Sequence, residues 1–232
     1  MRLPTSGVLR AELAEVFASI QGEGLVIGKP CVFVRFAGCN LRCSLCDTKY
    51  SWSGGYLLTA KELVSRVRKY GLRTVVYTGG EPLLQPKVLE YVSSALHGVG
   101  YLQVVETNAS IVPSNIDVLA KTIDVWSLSP KLPSMNPNYN LDWYRLFLDS
   151  LMQNLPRGKL VYVKFAVGRL DELSLVKQEY DKYISRHLDE DRVVLQPLNG
   201  SGISYNQLAL EALRMKLNFR VLPQLHKLAG LR

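Results

Sequence analysis

The chain of 232 residues has four cysteines, and all of them fall between positions 31 and 46. Three of these, Cys39, Cys43 and Cys46, form a C-x3-C-x2-C array inside the segment 38–48. Three thiolates on one short loop can hold three irons of a [4Fe–4S] cube and leave the fourth without a protein ligand, whereas ferredoxin-type clusters use four cysteines. An open iron suits a site where a small molecule coordinates and receives an electron. A zinc site completed by Cys31 or a histidine stays open as the alternative, although structural zinc sites usually split their ligands into two pairs. Stapling disulfides join distant segments in oxidising compartments, and this crowding in one stretch reads instead as a metal or cluster site. Cys31 lies inside the β-rich run Pro30-Cys31-Val32-Phe33-Val34 and reads as a small buried hydrophobe.

A second chemical signal is Thr78-Gly79-Gly80-Glu81-Pro82, where paired glycines let the backbone approach a ligand closely. A third is Arg35, the one charge in residues 31–36. Strand alternation puts Cys31, Phe33 and Arg35 on one face, and an inward, unpaired guanidinium is costly, so a resident anion is expected there. That anion is either a substrate group or a structural ion-pair partner.

Elements must bring these segments together. β-rich runs occur at 31–36, 73–77, 101–106, 123–126, 160–165 and 192–195, and an earlier stretch, 12–20, reads as an added edge strand. Helical spacing lies between them. Leu63, Val64 and Val67 follow a Thr59-to-Glu62 capping box, and Val88, Leu89, Val92 and Leu96 follow Pro86. Further helices are expected at 114–121, 141–155, 170–187 and 205–216. Strand–helix alternation over the whole length implies a parallel sheet with covering helices. Six βα units are too few for a closed eight-stranded barrel, so the expected fold is α/β, a partial barrel of about six parallel strands in one domain, 1–232. Its reactive rim lies at the C-terminal strand ends, where the cysteine loop, the Gly-Gly segment, Glu106-Thr107-Asn108, Ser129-Pro130-Lys131 and Gln196-Pro197 all fall.

Apolar residues make up 47% and charged residues 21%, as in globular chains. No apolar run reaches the roughly 18–20 residues of a membrane span, and the first residues lack the apolar core of a signal peptide, so a cytoplasmic protein without membrane contact is expected. The net charge of +8 reflects either an anionic partner or scattered surface Lys and Arg. With no block of like charges and no nucleic-acid motif, no direct nucleic-acid partner is expected.

The cysteine array together with Thr78-Gly79-Gly80-Glu81-Pro82 resembles the radical S-adenosylmethionine (SAM) superfamily. A narrower resemblance rests on Ser19-Ile20-Gln21-Gly22-Glu23-Gly24, Phe33-Val34-Arg35-Phe36-Ala37-Gly38-Cys39, Cys46-Asp47-Thr48, Glu106-Thr107-Asn108, Ser129-Pro130-Lys131, Gln196-Pro197-Leu198 and Gln224-Leu225-His226-Lys227. These segments are similar to the 7-carboxy-7-deazaguanine synthases and span 19–232. The resemblance implies a homodimeric lyase of 7-deazapurine biosynthesis. It also implies a [4Fe–4S] cluster, SAM, Mg2+ and an external electron donor of flavodoxin or ferredoxin type, acting on 6-carboxy-5,6,7,8-tetrahydropterin. Carried over residue by residue, it places the cluster on Cys39, Cys43 and Cys46 and Mg2+ on Thr48. SAM falls along Leu45, Cys46, Asp47, Gly80, Glu81, Ser129, Pro130, Lys131, Gln196, Pro197, Leu198 and Asn199. The pterin falls on Ile20, Gln21, Gly22, Glu23, Arg35, Thr78, His226 and Arg232, with an N-terminal substrate segment at 12–30 and a pocket-closing tail at 217–232.

Plainer roles stay open: a polar turn for Gln21 and Glu23, a cap for Thr48, a surface site for Lys131, a structural role for His226. A radical SAM activase making a glycyl radical on a partner protein shares the cysteine array but does not need Gln21, Glu23 or Arg35. A zinc-stabilised binding module needs no catalysis. The sequence departs from the family at Leu45, often Trp there, and at Ala109, often Gly. Residues 131–144, rich in Pro and Asn, are open as a lid or a dimer contact.

Anaerobically reconstituted protein is expected to carry about four irons with matching sulfide. Cys43→Ala should lose them and Cys31→Ala should keep them, as read by iron and sulfide assay.

Overall fold

Alternating β-rich and amphipathic stretches assemble into one mixed sheet with helices against one face. The structure is a computed structural model that describes residues 8–231. Among them the strands are β1 (Arg10–Ile20), β2 (Pro30–Phe36), β3 (Tyr56–Thr59), β4 (Thr74–Gly79), β5 (Leu102–Thr107), β6 (Val125–Leu128), β7 (Leu160–Val167), β8 (Val193–Pro197) and β9 (Arg220–Val221). The helices are α1 (Ala60–Lys69), α2 (Pro86–His97), α3 (Ile116–Thr122), α4 (Leu141–Asn154), α5 (Glu172–Lys182), α6 (Tyr205–Arg214) and α7 (Leu225–Leu228). No helix among the described residues is long and apolar enough to cross a membrane.

The strand order is β3-β1-β2-β4-β5-β6-β7-β8-β9. From β2 onward neighbours run parallel, while β1 pairs antiparallel with both β2 and β3. The sheet ends at β3 and β9 without closing, which makes it a partial barrel. All six strands expected from the sequence are present. The short β3 and β9 were not anticipated, because so few residues hold little alternation. Nor is β1 the edge: β3 pairs with Arg10 to Leu13 and covers it. The expected helix 170–187 also ends sooner. Tyr183 leaves the helical backbone at φ −137°, where its hydroxyl donates to the Arg145 carbonyl on α4 at 2.7 Å, and a 3-10 turn follows at Ile184–Arg186.

The helices form where capping and apolar spacing agree. Thr59 and Glu62 make the reciprocal capping box of α1, which buries Leu63 and Val67 against the outer sheet face. On that face the strands contribute Val34, Val75, Tyr77, Val105, Trp126, Val163 and Leu195 to the main core. The other face is concave and holds a smaller core of Cys31, Phe33, Val76, Val104, Val125, Tyr162 and Val194, plugged by Val26. Period-2 alternation then dictates what stands one step further toward the C-terminal rim. Phe33 is followed inward by Arg35, Val76 by Thr78, Val104 by Glu106, Tyr162 by Lys164 and Val194 by Gln196. An apolar floor thus carries a polar tier.

Residues 131–144 pack across this rim. Glu172, at the start of α5, is 3% exposed and accepts from the Ser134 backbone at 2.7 Å and hydroxyl at 2.8 Å. It also accepts from the backbone of Gly168 and Arg169 at 3.1 and 3.2 Å. One carboxylate therefore pins the segment to the end of β7. Each buried donor left unpaired costs about 1–3 kcal/mol. Glu172→Ala is expected to cost about 3 kcal/mol, lowering Tm by roughly 6–12 °C in calorimetry; a shift under about 2 °C would contradict the role.

Candidate active site

The cysteine loop leaves β2 and is held against the end of β4. Gly80 donates to the Phe36 carbonyl at 3.0 Å and Glu81 to the Gly38 carbonyl at 2.8 Å. A Cβ on Gly80 would run into the Gly38 carbonyl and crowd Cys39, so glycine is required by close approach. Arg42 donates to the carbonyls of Cys39 and Leu41 at 2.6 and 2.8 Å and lies over the Trp52 ring at 5.3 Å. Ser44 donates its backbone N–H to the Met135 carbonyl at 3.0 Å.

Cys39, Cys43 and Cys46 carry free thiols that line one cavity, and burial pushes the Cys39 and Cys43 thiols above the ordinary range. Each has a polar partner near its sulfur: the Leu41 backbone N–H donates at 3.4 Å to Cys39, the Asn136 amide at 3.7 Å to Cys43, and the Thr48 hydroxyl shares a hydrogen bond with Cys46 at 3.6 Å. Among the described residues no three His, Cys, Asp or Glu side chains are gathered around one metal position. Thiols spaced along a wall, with no fourth cysteine beside them, fit a cube with one open iron better than a single zinc. Cys31 is fully buried in the small inner core, where burial, with Glu106 nearby, pushes its thiol up to about 12.

The cavity has two lobes. The larger, about 200 Å³, is lined by the three cysteines and Gln21, Arg35, Thr48, Thr78, Gly80, Glu106 and His226. The smaller, about 110 Å³, is lined by Leu45, Gln196, Pro197, Leu198, Asn199 and Gln224. Glu23, Asp47, Ser129, Lys131, Met135 and Lys164 border both. Most residues singled out in the sequence are therefore brought together, including segments from both ends of the chain.

Several differ from expectation in detail. The guanidinium of Arg35 is not unpaired: its Nε donates to Glu15 across β1 at 2.8 Å. Glu81 is absent from the cavity wall. Its carboxylate, 1% exposed, accepts from the Leu83 and Asn108 backbone and from the Thr107 hydroxyl at 3.0, 2.8 and 2.8 Å. Burial still holds that carboxyl above its ordinary value. Ile20 and Pro130 are also outside the lining, and Gly22 serves by being small: a Cβ there would strike the His226 ring. Thr48 makes no cap with its side chain. Ala109 keeps a left-handed backbone, φ 56°, where the family often has Gly, so the turn survives at the cost of strain. Arg232 lies outside the described residues.

One buried charged group, Lys164, was not anticipated. Lys164 pairs with Glu23, and Gln224 donates to the same carboxylate at 2.6 Å. Burial would raise the Glu23 carboxyl, but the charge and hydrogen bond of Lys164, with Gln224 and His226, hold it well below the usual carboxylate range. Burial likewise opposes the Lys164 charge, yet Glu23, Glu106 and Tyr162 hold its ammonium above the ordinary lysine value. Glu106 accepts from the Gln21 amide at 2.9 Å. Lys164 has the signal that exposed Arg35, a charge two positions after an inward apolar residue. Lys131 donates to the Ser129 hydroxyl at 3.1 Å, and burial lowers its ammonium despite Cys43 nearby. The tail closes one side: Leu225 donates to the Gly22 carbonyl at 2.9 Å and Lys227 reaches Asp47 at 3.3 Å.

A family model described as the Radical SAM superfamily matches residues 33–159. A 7-carboxy-7-deazaguanine synthase of Pyrobaculum aerophilum is 34% identical over 97% of this chain and 96% of the relative. The chain belongs to the 7-carboxy-7-deazaguanine synthase family. The synthase of Bacteroides thetaiotaomicron is 31% identical over 95% of this chain and 98% of that one. In structure, Escherichia coli QueE aligns with TM-score 0.68 at 23% identity, covering 94% of this chain and 95% of that chain. It supports the synthase fold, a radical SAM partial barrel. The chain is thus a radical SAM enzyme, which implies the cluster and SAM, and neither the glycyl-radical activase nor the zinc-stabilised module is favoured.

Lys164→Met strands the Glu23 carboxylate and is expected to cost about 3–5 kcal/mol, with most of it recovered in Lys164→Met/Glu23→Gln. Without Lys164, burial raises the Glu23 carboxyl, so its contribution is present at low pH and lost as pH rises. The single variant's Tm deficit should therefore be larger at pH 8 than at pH 5.5 in scanning fluorimetry; a pH-independent deficit would refute the pairing.

Proposed function

We propose that this chain converts 6-carboxy-5,6,7,8-tetrahydropterin to 7-carboxy-7-deazaguanine, with ring contraction and loss of ammonia, as a radical SAM carbon–nitrogen lyase of 7-deazapurine biosynthesis. The observation that carries the reading is the pair of lobes that meet beside the cysteine loop, one walled by donors and acceptors suited to a flat, carboxylated heterocycle. When bound, the cluster and SAM supply a carbon-centred radical at that junction.

In this reading the larger lobe takes the pterin. Gln21, already oriented by Glu106, and Glu23 match ring donors and acceptors. Arg35, steadied through Nε by Glu15, keeps its Nη edge for the substrate carboxylate. Thr78 faces the ring and His226 completes the wall, while Arg232 is assigned to the substrate on the family resemblance alone. The smaller lobe takes SAM along Leu45, Asp47, Ser129, Lys131 and the stretch 196–199, with Gly80 leaving room beside the cysteines. Glu81 acts at one remove, fixing the turn that carries Thr107 and Asn108. Thr48 offers its hydroxyl to Mg2+, a hard cation that takes oxygen ligands. The protein works as a cytoplasmic homodimer and takes electrons from a flavodoxin- or ferredoxin-type donor.

The test is anaerobic turnover with the carboxytetrahydropterin, SAM and a chemical reductant, with mass detection of the deazaguanine. Product should form, slow without Mg2+, and respond less to Mg2+ in Thr48→Ala. Arg35→Lys keeps the charge but loses the planar fork, so pterin affinity should fall roughly 10- to 100-fold with SAM affinity nearly unchanged. Intact cluster and SAM cleavage with no deazaguanine would overturn the assignment.

A further inference from the structure

The three cluster cysteines differ in where the hydrogen-bonding groups beside their sulfurs come from. The Leu41 N–H and the Thr48 hydroxyl belong to the cysteine loop itself or its immediate continuation, and move with it. The donor to Cys43 is the side-chain amide of Asn136, 93 residues away in the segment 131–144. Its orientation is fixed by a second bond, because its Oδ1 accepts the Asn138 backbone N–H at 3.1 Å. With the oxygen so engaged, the Nδ2–H must face the sulfur. Asn136 is 9% exposed, and its backbone N–H is held by the Leu132 carbonyl at 2.9 Å. The segment is anchored on both sides, by Ser134 on Glu172 and by the Tyr139 hydroxyl on the Asn108 carbonyl at 2.7 Å.

We propose that Asn136 is a positioning residue for the cluster, donating an N–H···S bond to the Cys43 thiolate that makes one-electron reduction of the bound cluster easier. The reduced cluster carries one more negative charge than the oxidised one, and a donor at a ligating sulfur stabilises the more negative form. The electron comes from an external reductant, and no proton need move. This inference rests on the cluster and not on the identity of the substrate, so it stands or falls apart from the pterin reading.

The experiment is an EPR redox titration of anaerobically reconstituted protein with dithionite and mediators, without SAM or pterin. Asn136→Leu removes the donor, and Asn136→Asp removes it while keeping the Oδ1 acceptor for Asn138 and adding a negative charge. At the potential that half-reduces the wild-type cluster, the reduced-to-oxidised ratio should fall about three- to tenfold in Asn136→Leu, tenfold being about 59 mV for one electron. It should fall further in Asn136→Asp, with iron content near that of the wild type. Unchanged ratios in both variants would overturn the proposal. Should both lose iron, the wild type decides: protein labelled with 15N at the asparagine side-chain amide should show a 15N coupling to the reduced cluster in pulsed EPR, and its absence would also overturn it.

Discussion

No side chain fits between the end of β4 and the start of the cysteine loop, and much of the site follows from that exclusion. Because Gly80 lets the backbone of Phe36 and Gly38 come into hydrogen-bonding contact, the loop leaves β2 in one fixed direction. The same turn drives Glu81 back into the protein, where it accepts from the Leu83 backbone and orders Thr107 and Asn108 with two further bonds. Asn108 in turn bonds Asn40, between the first two cluster cysteines, at 3.1 Å. The constraint thus runs from a backbone contact to a buried carboxylate and back to the loop it began with.

Electrostatics supply the second level of order. The concave face sets an apolar floor beneath Arg35, Glu106 and Lys164, so these charges sit in a medium of low polarity, where partners matter more than in water. Arg35 is matched by Glu15, and Lys164 by Glu23 with Glu106 nearby. Lys131, beside Cys43 and Cys46, places a basic group next to the cysteine loop. Most of the fixed charge is thus neutralised locally, and a ligand entering the cavity meets oriented groups rather than mobile ones.

The fold was legible because its signals are local. A cysteine array, two glycines and alternating runs each report on their own neighbourhood, and six strands and the α1 capping box follow from them. What escaped depends on distant partners. Arg35 could be read as needing an anion, but Glu15 could not be named, since the antiparallel register of β1, with its irregularity between Leu13 and Glu15, is not written in either strand alone. Glu106 is legible as a rim residue, whereas Lys164 carries the same signal as Arg35 but gains its meaning from Glu23, 141 residues away. The role of Glu81 was obscured by its motif, which suggests contact with a ligand when the side chain in fact turns the other way. The segment 131–144 gave no periodicity, and its purpose emerges only from what it touches.

The tail's attachment bears on when the protein can exist as an enzyme at all. Gln224 reaches Glu23 across 201 residues, and the neighbouring Leu225 and His226 close against Gly22. Contacts of such long range form late, after the intervening chain has collapsed. During synthesis the cysteine loop and most of the sheet emerge well before this strap, so until residues 224–226 are made the cavity lacks a wall. Synthesis of residues 224–226 is what completes the pocket wall, and a product terminated before them would keep its cysteines while lacking the wall that shelters them.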